Sequence, residues 1–339
     1  MSVQIQFRRG TAASWTSANP VLAEGELGLE TDSLAYKIGD GATAWSALSY
    51  ATLGGTFVSQ LLESYAATSE PSAPASGHLR LYAKDVAGRQ MLKIVGPSGL
   101  DTQIQPAFYG NGVVCILPGS STAFSAIGSA TFTAVGTVSH PAPAVGSLRA
   151  STVRANVISA ATANSASELR VAAAQTWRGD AAGLGGFFAV FRFASSTAVA
   201  GSRFIVGFTS STSATSTSQS PSALTSCVFV GNDAADTNLF VMHNDAGGTC
   251  TRIDLGASFP IPTNVNNATY ELTLFAPPNA LWIGWRVVRL DTGDVATGTI
   301  TTDLPPSTTF LAPHVYVNNN GVASAVGLDF FRFYRESDY

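Results

Sequence analysis

The feature that most constrains this chain is a series of strand-length segments, rich in aromatic and β-branched residues, between residues 186 and 336. Turn-forming Gly, Asp, Asn and Pro residues separate the segments. Aromatic and β-branched side chains favour a pleated, half-buried surface. The segments comprise residues 186–194, 202–210, 226–232, 238–245, 269–276, 280–290, 294–301, 314–320 and 326–336. Their lengths and spacing predict an all-β region that folds as a two-sheet antiparallel sandwich.

Alternation within one of these segments assigns the two faces of its strand. Successive side chains of a strand point to opposite faces, so Leu281, Ile283, Trp285 and Val287 share one face. We expect that face to be buried in the core. Trp282 lies on the opposite face, and we expect its ring to point outward.

Composition limits the partners that the chain can bind. Of its 339 residues only 12% are charged, and the formal net charge is −4. Nucleic-acid binding normally requires clustered Lys or Arg residues, and the chain has no such block, so no nucleic-acid ligand is expected. No apolar run approaches the ~20 residues of a membrane-spanning helix, and the first residues lack the apolar core of a secretory signal. These observations predict a chain that neither inserts into a membrane nor is exported.

Lysine usage marks a change of composition along the chain. All three lysines precede residue 94, and the rest of the chain uses Arg as its cationic residue. We place three regions at 1–52, 53–108 and 109–339. The middle region begins with a possible short helix over 57–65, then has a Pro/Ser/Ala-rich linker, and the pattern of 78–95 predicts a β-hairpin.

The first region combines an alternating segment, Val3 to Phe7, with short predicted strands at 26–31 and 34–38. Gly39 and Gly41 provide the turn that follows. A region of about 50 residues buries too little apolar surface to be stable without a disulfide, a metal or a partner chain. Since it contains neither a disulfide nor a metal-binding set, we infer a partner chain.

No motif of a hydrolase or of a P-loop enzyme occurs in the chain. Residues 39–44 fit the pattern of a dinucleotide-binding loop, but that loop must open a helix within a βαβ unit, and no amphipathic helix follows. The four histidines are scattered singly. The sequence therefore predicts no catalytic residue, no cofactor and no metal ion, and we expect a protein that is not an enzyme.

Two sets of residues leave alternatives open. The cysteines are Cys115, Cys227 and Cys250. Their odd number and their apolar or Thr-rich surroundings favour buried or half-buried thiols, with a disulfide or a metal ligand as the alternatives. Asp233, Asp236 and Asn238 bring three oxygen ligands close together, which could coordinate Ca²⁺, but a plain turn is favoured.

A non-catalytic glycan site would combine an exposed aromatic ring with Asn, Asp or Arg side chains. The candidates are Trp282, Tyr316, Asn318, Asn319, Trp177 and Arg178. For Trp177 and Tyr316 the alternative is a place in the core or between chains. An enzyme that cleaves glycans would instead need two facing carboxylates, and Glu271 is the first residue to test for that role.

The first 50 residues resemble the N-terminal domain shared by many tailed-bacteriophage fibre proteins and by the phage major tropism determinant. The matching stretches are QFRRGTAASW at 6–15, NPVLAEGELGLETD at 19–32 and YKIGDGATAWSALSY at 36–50. Residues 76–108 are similar to the segment that follows this domain in fibre proteins. Residues 109–339 resemble their C-terminal sandwich, a lectin-like jelly roll.

The resemblance implies a homotrimeric tail fibre of the virion, assembled in the cytoplasm of the bacterial host. Its N-terminal domain would contact other tail, baseplate or capsid proteins, and its C-terminal sandwich would bind a host cell-surface polysaccharide or lipopolysaccharide. The candidates for contacts between chains or with the particle are Arg8, Arg9, Trp15, Glu24 and Trp45. The alternatives are a fibre or capsid decoration protein that joins another virion protein, and a glycan depolymerase.

Overall fold

The computed structural model describes residues 7–51, 66–69, 71–75, 77–95, 101–103, 112–119, 124–128, 130–261 and 268–337. The chain forms two compact units, Met1–Ser64 and Tyr65–Tyr339. Two predicted elements, the helix over 57–65 and most of the strand over 3–7, lie outside the described residues.

The first unit contains a small sheet and one helix within its described part. The helix is α1 (Ala12–Ala18), and the strands are β1 (Arg8–Gly10), β2 (Leu27–Glu30) and β3 (Tyr36–Ile38). Strand β2 pairs in parallel with β1 and antiparallel with β3. Helix α1 is not among the predicted elements, although it has start and stop signals. The Thr11 hydroxyl accepts a hydrogen bond from the Ser14 N–H, and Asn19 ends the helix in the left-handed conformation.

Two tryptophans form the core of the first unit. The rings of Trp15 and Trp45 stack with their centroids 4.1 Å apart, and both are buried. Trp15 Nε1 donates to Leu29 O at 2.9 Å, and Lys37 Nζ donates to Trp45 O at 2.7 Å. A Cβ at Gly28 would lie 2.5 Å from the Trp45 ring. The two rings therefore need glycine at this position of β2.

The second unit contains a three-stranded sheet and a larger sandwich within its described part. The three-stranded sheet comprises β4 (Arg80–Val86), β5 (Arg89–Val95) and β6 (Asp101–Gln103). The sandwich strands are β7 (Gly112–Pro118), β8 (Phe124–Ile127), β9 (Phe132–Val135), β10 (Thr137–Ser139), β11 (Ala155–Ile158), β12 (Ala166–Val171), β13 (Phe187–Thr197), β14 (Arg203–Thr209), β15 (Cys227–Asn232), β16 (Phe240–Asn244), β17 (Thr251–Asp254), β18 (Thr269–Ala276), β19 (Ile283–Arg289), β20 (Val295–Ile300), β21 (Ala312–Asn318) and β22 (Gly327–Ser337). The short helices are α2 (Leu148–Ser151) and the 3₁₀ helix η1 (Pro221–Ala223).

The sandwich strands form two antiparallel sheets. Sheet I has the order β10-β11-β22-β13-β18-β19-β20, and β7 and β8 extend it beside β22. Sheet II has the order β17-β16-β15-β14-β21-β12-β9. Each of the predicted segments corresponds to a strand, namely β13 to β16 and β18 to β22. The predicted antiparallel sandwich is confirmed.

The core between the two sheets is rich in aromatic side chains. The rings of Phe187, Phe191, Phe208 and Phe333 meet edge-on or tilted, with centroids between 4.8 and 6.0 Å apart. Such geometry brings the positive edge of one ring to the negative face of another. These contacts join β13 and β22 of sheet I to β14 of sheet II.

The alternation predicted for β19 is correct within the strand. Ile283, Trp285 and Val287 face the core. Leu281 does not, and it is 80% exposed. Strand β19 begins only at Ile283, so Leu281 lies in the preceding loop, where the period of two no longer applies.

The predicted hairpin is present and packs against the outer face of sheet I. Strands β4 and β5 are joined by a turn at Ala87 and Gly88, both with positive φ. Val86 and Met91 of the hairpin form a buried cluster with Phe188 of β13. The approach is close, since a Cβ at Gly284 of β19 would lie 1.9 Å from the Ala87 carbonyl oxygen.

Candidate functional site

Three of the residues predicted to bind a glycan, Tyr316, Asn318 and Asn319, are fully buried. The Tyr316 hydroxyl donates to Ser216 O at 2.9 Å, and Asn318 Nδ2 donates to Thr217 O. Asn319 Nδ2 donates to three main-chain carbonyls of neighbouring loops. Because these polar groups already bind the main chain, the three residues do not form the exposed site predicted for them.

Two of these residues hold a polar segment against the outer face of sheet II. We call residues 210–220 the Ser/Thr segment. Besides Tyr316 and Asn318, two arginines reach it from strands β12 and β14: Arg170 donates to Thr212 O, and Arg203 Nη1 donates to Ser218 O at 3.2 Å. In all four contacts the acceptor is a main-chain carbonyl oxygen of the Ser/Thr segment.

A buried acid–base pair lies at the centre of this contact. His314 Nε2 lies 3.0 Å from Glu168 Oε2 and 3.2 Å from Thr215 Oγ1, and His314 Nδ1 lies 3.1 Å from Thr209 Oγ1. Burial alone would raise the pKa of Glu168, but hydrogen bonds from His314 and Thr215, together with the His314 charge, outweigh it and hold the pKa below its ordinary value. The carboxylate therefore stays ionised inside the fold.

Threonine, histidine and glutamate are also residue types that could form a hydrolytic triad, in which the nucleophile and the acid bind opposite ring nitrogens of the histidine. The hydroxyl opposite Glu168 belongs to Thr209, which is buried, so no substrate reaches it. Thr215 is more accessible, but it shares Nε2 with the carboxylate. This geometry does not fit a nucleophile and its base. Glu168 and His314 instead bind Thr215 and so hold the Ser/Thr segment in place; we call these two residues the latch.

Trp282 is half-buried beneath the hairpin. Its ring meets Phe275 edge-on, with centroids 5.7 Å apart, and a Cβ at Gly88 would lie 2.9 Å from it. The ring therefore points outward from sheet I, as the alternation predicts, but the hairpin turn covers part of it. Trp282 is therefore less open than the exposed ring expected from the sequence.

A groove of about 190 Å³ lies between the hairpin and sheet I. Phe188 and Phe275 form its apolar wall, and Arg89 and Glu336 contribute its charges. Arg89 Nη2 donates to Glu336 Oε2 at 2.5 Å, and the guanidinium lies 4.7 Å from the centroid of the Phe188 ring. Since the two charges neutralise each other within the protein, the groove has no evident preference for a charged ligand.

Trp177 lies where the loops before β13, β19 and β21 meet. Its ring stacks on Phe310 with centroids 5.0 Å apart and an interplanar angle of 21°. The residues beside them, Thr176 and Leu311, form an isolated antiparallel bridge, which fixes the main chain under both rings. Phe310 is 47% exposed, and Trp177 is half-buried. We call this ring pair the aromatic surface.

Arg178 does not point toward solvent, where it was expected to bind sugar hydroxyls. It is buried; its Nε donates to Pro305 O at 2.9 Å, and its Nη1 donates to Ala280 O at 2.5 Å. Burial lowers the pKa of this guanidinium. The Asn279 N–H donates in turn to Arg178 O at 2.8 Å. Arg178 therefore ties the three loops together and positions the aromatic surface.

The aromatic surface has the chemical character of a sugar platform. Stacking covers one face of each ring, while Phe310 still exposes apolar ring surface, and the exposed Asp180 of the same loop as Trp177 offers an acceptor for hydroxyl groups. The loops also expose Leu184 and Leu281. Phe310 is not among the predicted site residues. The signal that could have found it is an aromatic residue that directly follows the run of Pro, Ser and Thr at 305–309.

The residues expected to contact other chains divide into two groups. Trp15 and Trp45 are buried in the core of their own unit, so neither ring is available to a partner. Arg8, Arg9 and Glu24 are exposed. Arg8 also forms an ion pair with Glu26 at 3.3 Å.

In the turn at Gly39, Asp40 and Gly41, the Asp40 carboxylate binds the N–H groups that follow it. Asp40 accepts hydrogen bonds from the Thr43 hydroxyl and from the N–H groups of Thr43 and Ala42, which lower the pKa of Asp40 to about 2. A phosphate would need the same N–H groups. A Cβ at Gly39 would lie 2.1 Å from the Ala23 carbonyl oxygen, so this glycine permits a close approach of two chain segments.

The remaining candidate acids are paired with arginines or amides. Arg252 forms ion pairs with Asp236 and, at 4.0 Å, with Asp233, while Asn238 Nδ2 donates to Asp254. Glu271 accepts hydrogen bonds from Arg192 on the outer face of sheet I. In the described part of the chain no group of three or more His, Cys, Asp or Glu residues could hold a metal ion. The described helices include none long and apolar enough to cross a membrane.

Fold and surface together define an all-β protein with a small N-terminal module and an antiparallel sandwich. Residues 5–43 match the family model of the major tropism determinant N-terminal domain. The chain is also 42% identical over 50 residues to a hyaluronoglucosaminidase of Streptococcus pyogenes phage H4489A, a match that covers 15% of this chain and 14% of that protein. The resemblance of the N-terminal residues to tailed-phage proteins is thereby confirmed, and the match spans about one seventh of that relative's length.

Two solved structures show a distant similarity to this chain. Lectin II from Ulex europaeus is 15% identical with a TM-score of 0.38, and the match covers 61% of this chain and 93% of the lectin. The CBM2 module of the evolved Dit protein of Lactobacillus casei BL23 phage J-1 is 14% identical with a TM-score of 0.37, covering 55% and 77%. The fold of this chain is defined by its own strand pairing.

Proposed function

We propose that this protein is a homotrimeric tail fibre that attaches the phage to its host, binding a cell-surface polysaccharide or lipopolysaccharide through the aromatic surface. The observation that carries the proposal is the stacked pair of Trp177 and Phe310, which is partly exposed and rests on loops tied together by Arg178. A ring pair that is already ordered loses little conformational entropy when a sugar stacks on it.

The proposed trimer compensates for the weakness of a single site. One pair of rings buries little of a sugar. When three such sites are linked, the second and third binding events become intramolecular, which raises the overall affinity by roughly 10²–10⁴-fold. A repetitive polysaccharide on the cell surface is the kind of ligand that can occupy several copies at once.

The first unit would mount the fibre on the particle. Its match to the major tropism determinant N-terminal domain supports a place in the virion. Trp15 and Trp45 stabilise the unit itself, which leaves Arg8, Arg9 and Glu24 as the proposed contacts with other chains or with tail, baseplate or capsid proteins. Assembly in the host cytoplasm is part of the same proposal.

The test compares host-cell binding of the purified wild type with a Trp177→Ala/Phe310→Ala variant. We expect the variant to lose at least ten-fold in apparent affinity, because each chain then lacks its stacking platform. Phe7→Ala is the matched control. It removes a ring that is similarly exposed, 54% against 47% for Phe310, but belongs to the first unit.

If the double variant binds host cells as well as the wild type does, the receptor site lies on another surface. The groove beside Arg89 would then be the next to test. A wild type that binds no host cells would reject adsorption altogether. That result would favour the alternative in which the second unit joins another virion protein. Far-ultraviolet circular dichroism of each variant separates a lost site from a lost fold.

A glycan depolymerase is the second candidate, because the phage relative that matches over 50 residues is named a hyaluronoglucosaminidase. The carboxylate to test is Glu271, which Arg192 binds through two N–H groups. Release of reducing ends from host capsule by the wild type, lost in Glu271→Gln, would establish this activity. If neither the wild type nor Glu271→Gln releases reducing ends, binding remains the proposed function.

A further inference from the structure

The outer face of sheet II contains two cysteines in contact. Sγ of Cys227, the first residue of β15, lies 3.7 Å from Sγ of Cys250, which directly precedes β17. Both are free thiols and both are buried. A disulfide bond is ~2.05 Å long, so each sulfur would have to move by less than about 1 Å. Side-chain rotation on a nearly unchanged main chain can supply such a movement.

The main chain around the two thiols already holds them in register. The Cys250 N–H donates to Ser222 O at 2.8 Å, and both sulfurs lie close to Leu224 O, at 3.7 Å for Cys227 and 3.3 Å for Cys250. Ile205 and Met242 belong to the same apolar cluster. The pair is therefore held in place and buried, and it lies beneath the connection that follows the Ser/Thr segment.

We propose that Cys227 and Cys250 are an oxidative modification site that closes to an intramolecular disulfide when the protein meets a small-molecule disulfide outside a reducing cytoplasm. Thiol–disulfide exchange balances the reaction. One cysteine thiolate attacks the oxidant and releases its first thiol, and the second cysteine attacks the mixed disulfide and releases the other. Two protein thiols and one external disulfide become one protein disulfide and two external thiols.

Burial makes this exchange slow. The hydrogen bond with Cys250 and burial both raise the pKa of the Cys227 thiol, which lowers its thiolate fraction. Cys250 retains slight exposure, whereas Cys227 has none. We therefore expect Cys250 to meet the oxidant first, during local opening of the connection between β16 and β17, and Cys227 to complete the bond on closing.

The inference goes beyond glycan binding, although exposure to an oxidising medium follows from the proposed life of a released virion. The test incubates the reduced full-length protein with oxidised glutathione, blocks the remaining thiols and maps the peptides without reductant. We expect a cross-linked peptide that joins Cys227 to Cys250. Because the bond closes a loop between residues 23 apart in sequence, we expect the melting temperature to rise by roughly 5 °C.

Cys115 supplies the matched control, since it is half-buried on β7 of the other sheet. The shift in melting temperature should vanish in Cys227→Ala and in Cys250→Ala and should persist in Cys115→Ala. Free thiols at both positions after incubation, in buffer and in urea just below the unfolding transition, would overturn the proposal, as would cross-links between chains. Because thiol mapping uses no host cells, its failure and a failure of glycan binding are independent results.

Discussion

At the scale of single residues, the polar core of sheet II has a clear physical role. Glu168, His314 and Tyr316 are buried, and all of them contact the Ser/Thr segment or one another. A buried polar group is costly unless it is hydrogen-bonded. The buried polar side chains therefore need the Ser/Thr segment as a hydrogen-bond partner, and the segment needs them to stay in place.

The lowered pKa of Glu168 predicts how stability changes with pH. A carboxyl group whose pKa is lower in the folded than in the unfolded state stabilises the fold above its unfolded pKa, and that stabilisation is lost as the pH falls through the folded pKa. The unfolded pKa of a glutamate is about 4.3. We expect Glu168→Gln to lower the free energy of unfolding by about 1–3 kcal/mol at pH 5.

The gap between wild type and Glu168→Gln should shrink as the pH falls from about 5 to about 3. Urea denaturation at several pH values measures it. Asp180→Asn is the control, because Asp180 is exposed and its replacement should leave the curve unchanged. If the difference in free energy of unfolding between wild type and Glu168→Gln stays constant with pH, the charge of the Glu168 carboxylate does not stabilise the fold.

These buried residues also show why part of the predicted glycan site was wrong. Tyr316 and Asn318 lie on the outer face of a strand, as the alternation of HVYVNNN indicates. The pattern of one strand contains no information about which distant segment covers it. Because the Ser/Thr segment covers this face, residues that appear exposed in the sequence are buried in the fold.

At the scale of elements, the hairpin depends on glycine at the surface that it contacts. A Cβ at Gly284 would lie 1.9 Å from the Ala87 carbonyl oxygen, and main chain cannot yield as a flexible side chain can. We expect Gly284→Ala to displace the hairpin and to lower the free energy of unfolding by about 1–3 kcal/mol. Hydrogen–deuterium exchange should become faster in β4 and β5.

The control for this change is Gly247→Ala. Gly247 lies in an exposed turn, and the nearest atom to its added Cβ is Asp245 Oδ1 at 4.0 Å. It should leave the exchange of β4 and β5 as in the wild type. Unchanged exchange in Gly284→Ala would mean that the hairpin does not pack as closely on sheet I as the structure shows.

Strand prediction succeeded for the long aromatic strands after residue 186 and missed several shorter strands before it. Strands β13 and β22 contain runs of Phe, Val and Tyr and were predicted. Strands β8, β9 and β10 read FSAI, FTAV and TVS. They are too short and too rich in small residues for a period of two to emerge, and their pairing with longer strands determines their conformation.

At the scale of the whole molecule, the family resemblance of the first 50 residues predicts the number of chains. We expect native mass spectrometry of the full-length protein to give three times the chain mass of 35.0 kDa. A mass of one chain at micromolar concentration would contradict the homotrimer. In that case the gain in affinity expected from three linked sites would also be absent.

The all-β class and the sandwich could be predicted from the chain because they depend on many residues with the same preference. The proposed binding surface could not, since it consists of two rings that loops bring together. Trp177 and Phe310 are far apart in sequence, and they meet because Thr176 pairs with Leu311 and because Arg178 binds two neighbouring loops. Only Trp177 of this pair was among the predicted residues.

The way in which the Ser/Thr segment is held has a consequence for its evolution. Tyr316, Asn318, Arg170 and Arg203 all bind its carbonyl oxygens, which every amino acid provides. Apart from Thr215, whose hydroxyl contacts His314, the segment can accept substitutions without loss of these anchors. If the proposed role in host attachment holds, residues 210–220 can diversify under selection by a changing host while the sandwich beneath them stays constant.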